Sequence, residues 1–280
     1  MATNRRLRRF GRLAALALTL ALAGGAYYGA RWPLHLRGGW QITEKIHLSR
    51  PSSLSLDADG RLRYVALATI PGLLVELTPD GPKPVFSDFG DPDGLLALND
   101  SLLVSESDTD GRVMAYNPAT ARLRVLARMD NPTALLRRPD GTVVVAQSVQ
   151  AGRVWVLQDG VEPTPLVDGL VDPEGLCNLP DGRLGIAENG TGRILAYGPD
   201  GLEVLADNLD GIDQLACGAD GSLWAVISRV RSGKLIRIDQ GKRRTIARHL
   251  RQPQGIALLP DGSLYLAESR ANRVLRLSQP

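Results

Sequence analysis

The sequence predicts an all-β fold, a six-bladed β-propeller of four-stranded blades, preceded by one N-terminal transmembrane helix or signal segment. Three observations carry that prediction. Turn aspartates recur at Asp59, Asp100, Asp140, Asp181, Asp220 and Asp261, in steps of 41, 40, 41, 39 and 41 residues, and a period of about 40 with several strands per unit marks a propeller blade. Most are Asp-Gly pairs set between alternating apolar runs, as at 255–259 and 263–267, so they read as hairpins with positive φ supplied by glycine. The 280 residues include 30 Gly and 18 Pro, punctuation for many short elements rather than long helices.

Taken in order, residues 1–12 are a basic region with Arg5, Arg6, Arg8, Arg9 and Arg12, and 13–30 form an apolar run. That run is close to the lower length limit for a bilayer span, and Tyr27, Tyr28 and Trp32 sit where an interfacial aromatic belt would. The arginines place the N-terminus in the cytoplasm and everything after Arg31 outside the cytoplasm, periplasmic or extracellular, held at the cell membrane by a single pass. The alternative is a cleaved signal peptide at Ala21-Leu22-Ala23, which yields a secreted protein. Residues 31–39 are a linker, and 40–280 hold the propeller.

Within each unit a third strand follows the hairpin, as at 111–116, 192–197 and 272–277, and then a shorter fourth, as at 124–127 and 203–206. The sixth unit stops after its third strand. Trp40 to Leu48 is the strand left over, and placing it on the last blade closes the ring without an open edge.

Hydrophobic content of 44% and charged content of 22% exclude disorder and a polytopic membrane protein. The net charge of +3 is misleading, because residues 1–37 hold seven Arg and no acid. The remainder has 26 basic against 30 acidic side chains, which argues against a nucleic-acid partner. One basic patch remains, Arg229, Arg231, Lys234, Arg237, Lys242, Arg243, Arg244, Arg248 and Arg251. It reads as a solvated face or as a surface for anionic lipid or an acidic partner. Cys177 and Cys217 lie three and four residues past their repeat starts. Opposite parity on adjacent strands predicts that they face apart, as buried small hydrophobes rather than a bridge.

The first strand of each blade lines the tunnel, so positions equivalent by repeat converge at its mouth. Seven residues before each turn Asp stand Ser52, Asp93, Thr133, Glu174, Asp213 and Gln254, all polar and three of them carboxylates. Such a ring of acids repels itself unless a proton or cation intervenes. Calcium, with six to eight oxygen ligands, suits Asp93, Glu174 and Asp213, and a hydrated tunnel is the competing reading. Ser52, Thr133, Gln254 and His249 are the candidate substrate contacts, and Asp213 and Glu174 the candidate catalytic groups. A second set, Glu106, Gln147, Glu188 and Glu268, ends the second strands, where it forms an acidic rim or satisfies loop amides. Gly-x-Ser-x-Gly and phosphate-binding glycine loops are absent.

The motifs Pro-x-Gly-(Leu/Ile), at Pro92, Pro173 and Pro253, Pro-Asp-Gly-x-Leu, at Pro180 and Pro260, and Ala267-Glu268-Ser269-x-x-x-Arg273-Val274 resemble NHL-type blades. Residues 40–280 are similar to the gluconolactonase and regucalcin-like propellers and the related strictosidine-synthase-like proteins. The resemblance implies a divalent cation at the tunnel mouth and a late Asp, here Asp213, as ligand and base. Glu174 stands where that family has Asn, Ser52 or Ser53 where it has Glu, and Thr133 at a middle-blade position. The expectation is a metal-dependent hydrolase of a small ester or lactone, gluconolactonase-like. The alternative is a non-catalytic propeller serving as a protein or glycan interaction module, with an envelope protein as partner.

Overall fold

Four of the six turn aspartates tighten their own hairpins, and in the first blade Asp57 does so in place of Asp59, accepting from Asp59 N and Arg61 N. The carboxylates of Asp140, Asp181, Asp220 and Asp261 accept the N–H two residues on at 2.9–3.0 Å, an Asx turn. The computed structural model describes residues 33–57 and 59–280. The expected N-terminal segment lies outside them, and among the described residues no helix is long and apolar enough to cross a membrane. The chain divides into units 1–35 and 36–280, and the second of these is the propeller.

Residues 41–280 form six antiparallel blades. The inner strands are Pro51–Leu56, Pro92–Ala97, Pro132–Arg137, Pro173–Asn178, Ile212–Cys217 and Pro253–Leu258. Each is followed outward by a second, third and outer strand, as in blade 4 with Leu184–Glu188, Arg193–Gly198 and Gly201–Ala206. Every inner strand packs against the next, and the sixth against the first, so they surround a central tunnel. The strand left over after the last hairpin, Gln41–His47, completes blade 6 by pairing with Arg273–Ser278, with Ile42 opposite Leu277 and Ile46 opposite Val274. Its placement follows the expectation from sequence.

Apolar side chains of one blade pack on those of the next. Cys177, Ala187 and Ile194 of blade 4 meet Ile212, Leu215 and Ala225 of blade 5 in one buried cluster. This geometry corrects the reading of the cysteines. Cys177 and Cys217 form a disulfide, with Cα atoms 5.6 Å apart. Opposite parity would separate them within one sheet, but blades stand face against face, so opposite parity on neighbouring blades turns side chains toward each other. Gly185 makes room: a Cβ there would lie 2.8 Å from Cys177 Sγ and 3.3 Å from Cys217 Sγ.

The seams also carry polar latches. Glu106, Glu188 and Glu268 are almost fully buried at the ends of second strands. Each accepts a backbone N–H from the linker entering its own blade, from Gly90, Val171 and Arg251 at 2.9–3.0 Å. Each also pairs with the first arginine of the third strand, Arg112, Arg193 or Arg273. The acidic-rim reading therefore gives way to a structural one. At Glu188 burial pushes the pKa up, but hydrogen bonds from Thr191, Arg193 and the Val171 N–H outweigh it and hold the group below its ordinary value. Removing one partner of a buried pair leaves an uncompensated charge. Because Arg193 is 38% exposed and its charge stays solvated, the main loss in Glu188→Ala is the acceptor of the Val171 N–H, and the protein should be destabilised by about 1–3 kcal/mol, measured by urea denaturation, whereas no measurable loss would place the pair among ordinary surface bridges.

Candidate functional site at the tunnel mouth

The Pro-x-Gly pattern explains how the ring positions are set. The glycine after Asp93 lets backbones approach: a Cβ on Gly94 would lie 2.1 Å from Thr133 O, so the inner strands of blades 2 and 3 close to a distance no other residue permits. A one-residue bulge follows each of the six ring positions or falls at it, visible as register shifts at Pro92/Gly94, Pro173/Leu176 and Ile212/Gln214, among others.

Asp93, Glu174 and Asp213 project from blades 2, 4 and 5 and act on one another electrostatically. Burial is the main cause in each case. It raises Asp93 to about 6 with help from Asp91. Glu174 lies well above the usual carboxylate range through burial and then the charges of Asp93 and Asp213. Asp213 is pushed to about 8 by burial and then by Asp93. Blades 2 and 5 stand opposite one another in a six-bladed ring, so repulsion between Asp93 and Asp213 acts across the tunnel.

Two residues further along the inner strands stand Leu54, Leu95, Leu135, Leu176, Leu215 and Ile256. They line a small cavity of about 90 Å³ at the centre of the ring. The surface that faces this cavity is mostly polar, with Ser53, Gln214, Gly94 and Gly255 also on its wall. Burial and the like charge of neighbouring acids are what keep protons on Asp93, Glu174 and Asp213.

Three polar neighbours hold the acids in place. The Ser148 hydroxyl donates to Glu174 Oε1 at 2.8 Å, and Ser228 and Gln214 hydrogen-bond Asp213. Sequence reasoning misses Ser228 and finds Ser148 only as a neighbour of Gln147. The available signal is in the repeat, since Ser107, Ser148, Ser228 and Ser269 all directly follow a second strand.

The other ring positions serve different ends. Ser52 is 2% exposed and its hydroxyl donates to Pro92 O at 2.6 Å. Thr133 is 1% exposed and its hydroxyl faces Pro173 O and Glu174 O at 3.3 and 3.2 Å. Both tie one blade to the next and present no free hydroxyl to the tunnel, so they are not substrate contacts. Gln254 occupies the sixth position, half-buried. His249 lies at a bulge of the outer strand of blade 5, with φ 62°. That places it on the expected face, three strands out from the tunnel, about 14 Å at the spacing of paired strands.

The donor chemistry fits a hard divalent cation, because three half-buried, electrostatically linked carboxyl groups have no ion-pair partner among the described residues. As the side chains stand, no group of three His, Cys, Asp or Glu among the described residues is gathered closely enough to hold a metal ion. The ring is thus a set of electrostatically linked acids rather than a ready-made coordination shell.

No family model and no curated protein matches the chain. Solved structures do. A gluconolactonase from Xanthomonas campestris superposes with a TM-score of 0.69 at 14% identity, covering 89% of this chain and 98% of that one. Regucalcin from Agrobacterium tumefaciens, described as a calcium-binding protein, gives 0.67 at 18% identity over 85% of this chain and 94% of its own. Virginiamycin B lyase from Staphylococcus aureus gives 0.60 at 11% identity, with 86% and 100% covered. The fold is therefore that of the gluconolactonase and regucalcin-like six-bladed propellers, a scaffold shared by proteins of different chemistry.

Proposed function

We propose that the protein hydrolyses a small ester or lactone at the tunnel mouth, in the manner of a gluconolactonase, outside the cytoplasm and tethered through its N-terminal segment. The observation that carries this reading is the electrostatically linked set Asp93, Glu174 and Asp213 on the inner strands of three blades. A disulfide between inner strands favours an oxidising compartment, in keeping with export.

Asp213 takes the central role. A carboxyl titrating near neutrality exchanges protons efficiently under physiological conditions. Its ionised form accepts a proton from the attacking water and returns it to the leaving alkoxide, so that ester and water become acid and alcohol. Ser228 and Gln214 fix its orientation, and Ser148 holds Glu174 beside it. A divalent cation of the calcium type would be held by Asp93, Glu174 and Asp213, where it would neutralise their repulsion and polarise the substrate carbonyl.

A pH-stat assay on a panel of lactones and simple esters tests this. The wild type should turn over at least one member, and Asp213→Asn should lower that rate by about 10²–10⁴-fold, the range lost with a general acid or base. Turnover unaffected by Asp213→Asn, or none across the panel, would favour a binding propeller instead.

A further inference from the structure

The third and outer strands of blade 5, Gly233–Asp239 and Lys242–Leu250, carry six basic side chains against one acid, Asp239. Their register sets like charges directly opposite one another, Lys234 across from Arg248 and Arg237 across from Arg244, an arrangement that costs stability in an antiparallel pair. Carboxylates answer only two of the six. Arg237 pairs with Asp220 at 2.7 Å, and Arg243 with Asp207 at 3.0 Å. Lys234, Lys242, Arg244 and Arg248 have no ion-pair partner among the described residues. Lys242, Arg243 and Arg244 are consecutive and exposed, so they turn to alternate faces and flank the edge of the blade on both sides.

A second observation falls on the same strand. The Arg37 N–H donates to Ile246 O at 2.9 Å, so the chain joins the propeller at the outer edge of blade 5. Guarding an exposed edge against strand pairing is the ordinary use of edge charges, but it does not call for this density: the outer strands of blades 3 and 4, Val161–Leu170 and Gly201–Ala206, hold no basic residue. Blade 2, opposite in the ring, has Arg122, Arg124 and Arg128 on its outer strand, but the chain does not enter there. Basic charge and the entering chain coincide on blade 5.

We propose that the outer edge of blade 5 docks on anionic lipid of the membrane that holds the N-terminal tether. The inference rests on the run 13–30 lying in that membrane. The seven steps from Ala30 to Arg37 then span at most about 25 Å, which keeps this edge near the headgroups, where Lys and Arg are attracted to anionic lipid within about a Debye length of the surface. Energy transfer to a rhodamine-labelled lipid tests it, from a donor dye on Gln240→Cys, in the turn between the third and outer strands of blade 5, or on Thr120→Cys, in the matching turn of blade 2. The native cysteines are bonded to each other, so the dye reports the introduced thiol. The full chain is used, in phosphatidylcholine vesicles with and without about 30% phosphatidylglycerol. In anionic vesicles transfer from position 240 should exceed that from position 120 at least twofold. Lys242→Gln/Arg244→Gln, or about 0.5 M salt, which shortens the Debye length to about 4 Å, should return it to its value in neutral vesicles. Arg122→Gln/Arg128→Gln, which removes the same charge from blade 2, should leave it unchanged, and an unchanged melting temperature shows that the variants fold. Equal transfer from the two positions, or an excess at 240 indifferent to lipid charge and to Lys242→Gln/Arg244→Gln, would overturn the surface. A chain that floats with anionic but not with neutral vesicles, and ceases to do so in Lys242→Gln/Arg244→Gln, would remove the tether and leave the surface standing.

Discussion

Replacing Cys177 and Cys217 together by alanine should lower the melting temperature by about 8–16 °C. The bridge spans a sequence separation of 40, and a closed loop of that length removes about 4 kcal/mol of unfolded-state entropy in the chain-entropy account. For a domain of this size each kcal/mol moves the midpoint by about 2–4 °C. The location adds to the effect. Cys177 lies three residues after Glu174 and Cys217 four after Asp213 on adjacent inner strands, so the bridge joins two of the strands that carry the acids. Calorimetric scans of the wild type with and without reductant, beside the double variant, should give one large downward shift in both cases. A shift below about 2 °C would mean that the blade interface alone fixes the seam.

The converse is expected of the acids. Asp93→Asn, Glu174→Gln and Asp213→Asn combined should stabilise the protein above neutral pH. These carboxyls hold their protons in the folded state to a pH well above that of the unfolded chain, about 6 for Asp93 and about 8 for Asp213. Between the unfolded value of roughly 4 and those values the native state binds more protons than the unfolded state, so stability falls as pH rises through that window. Above it the native protein must carry charges it shelters poorly. Each pK unit corresponds to about 1.4 kcal/mol, and relaxation around the tunnel mouth reduces what is felt. A gain of about 2–4 kcal/mol near pH 8.5, shrinking toward pH 4, is the expected scale. Urea denaturation of both proteins at several pH values measures it. A variant less stable than wild type at high pH would show that the carboxylates are compensated in the native state. Sites that store unfavourable charge for chemistry commonly gain stability when neutralised.

The repeat period is enough to place the blades, the ring positions and even the strand Gln41–His47 that closes blade 6, because turn chemistry and period-two alternation are local properties. Convergence of Asp93, Glu174 and Asp213 follows from equivalence alone. The direction in which equivalent side chains turn is not contained in the period. Ser52 and Thr133 occupy the same repeat position as Asp213, yet their short hydroxyl side chains find neighbouring carbonyls and disappear into the seam. His249 is legible as belonging to the right face but not as lying at the outer strand, since distance from the axis depends on counting strands within the sheet. The cysteines mislead for a related reason: the parity rule holds within a sheet, and the relevant contact is between sheets. Glu106, Glu188 and Glu268 are visible as a repeated acid, and the arginine six or five residues later in each unit is the available sign that they are paired.

Three acids from separate blades are expected to act as one cation-responsive site at the tunnel mouth. Calorimetric titration of the full chain with calcium, beside the variant Asp93→Asn/Glu174→Gln/Asp213→Asn, tests this most directly. Binding by the wild type that releases protons as the pH is lowered toward 7, and that disappears in the triple variant, is the predicted result. No binding by the wild type, or binding that survives loss of all three acids, would contradict it.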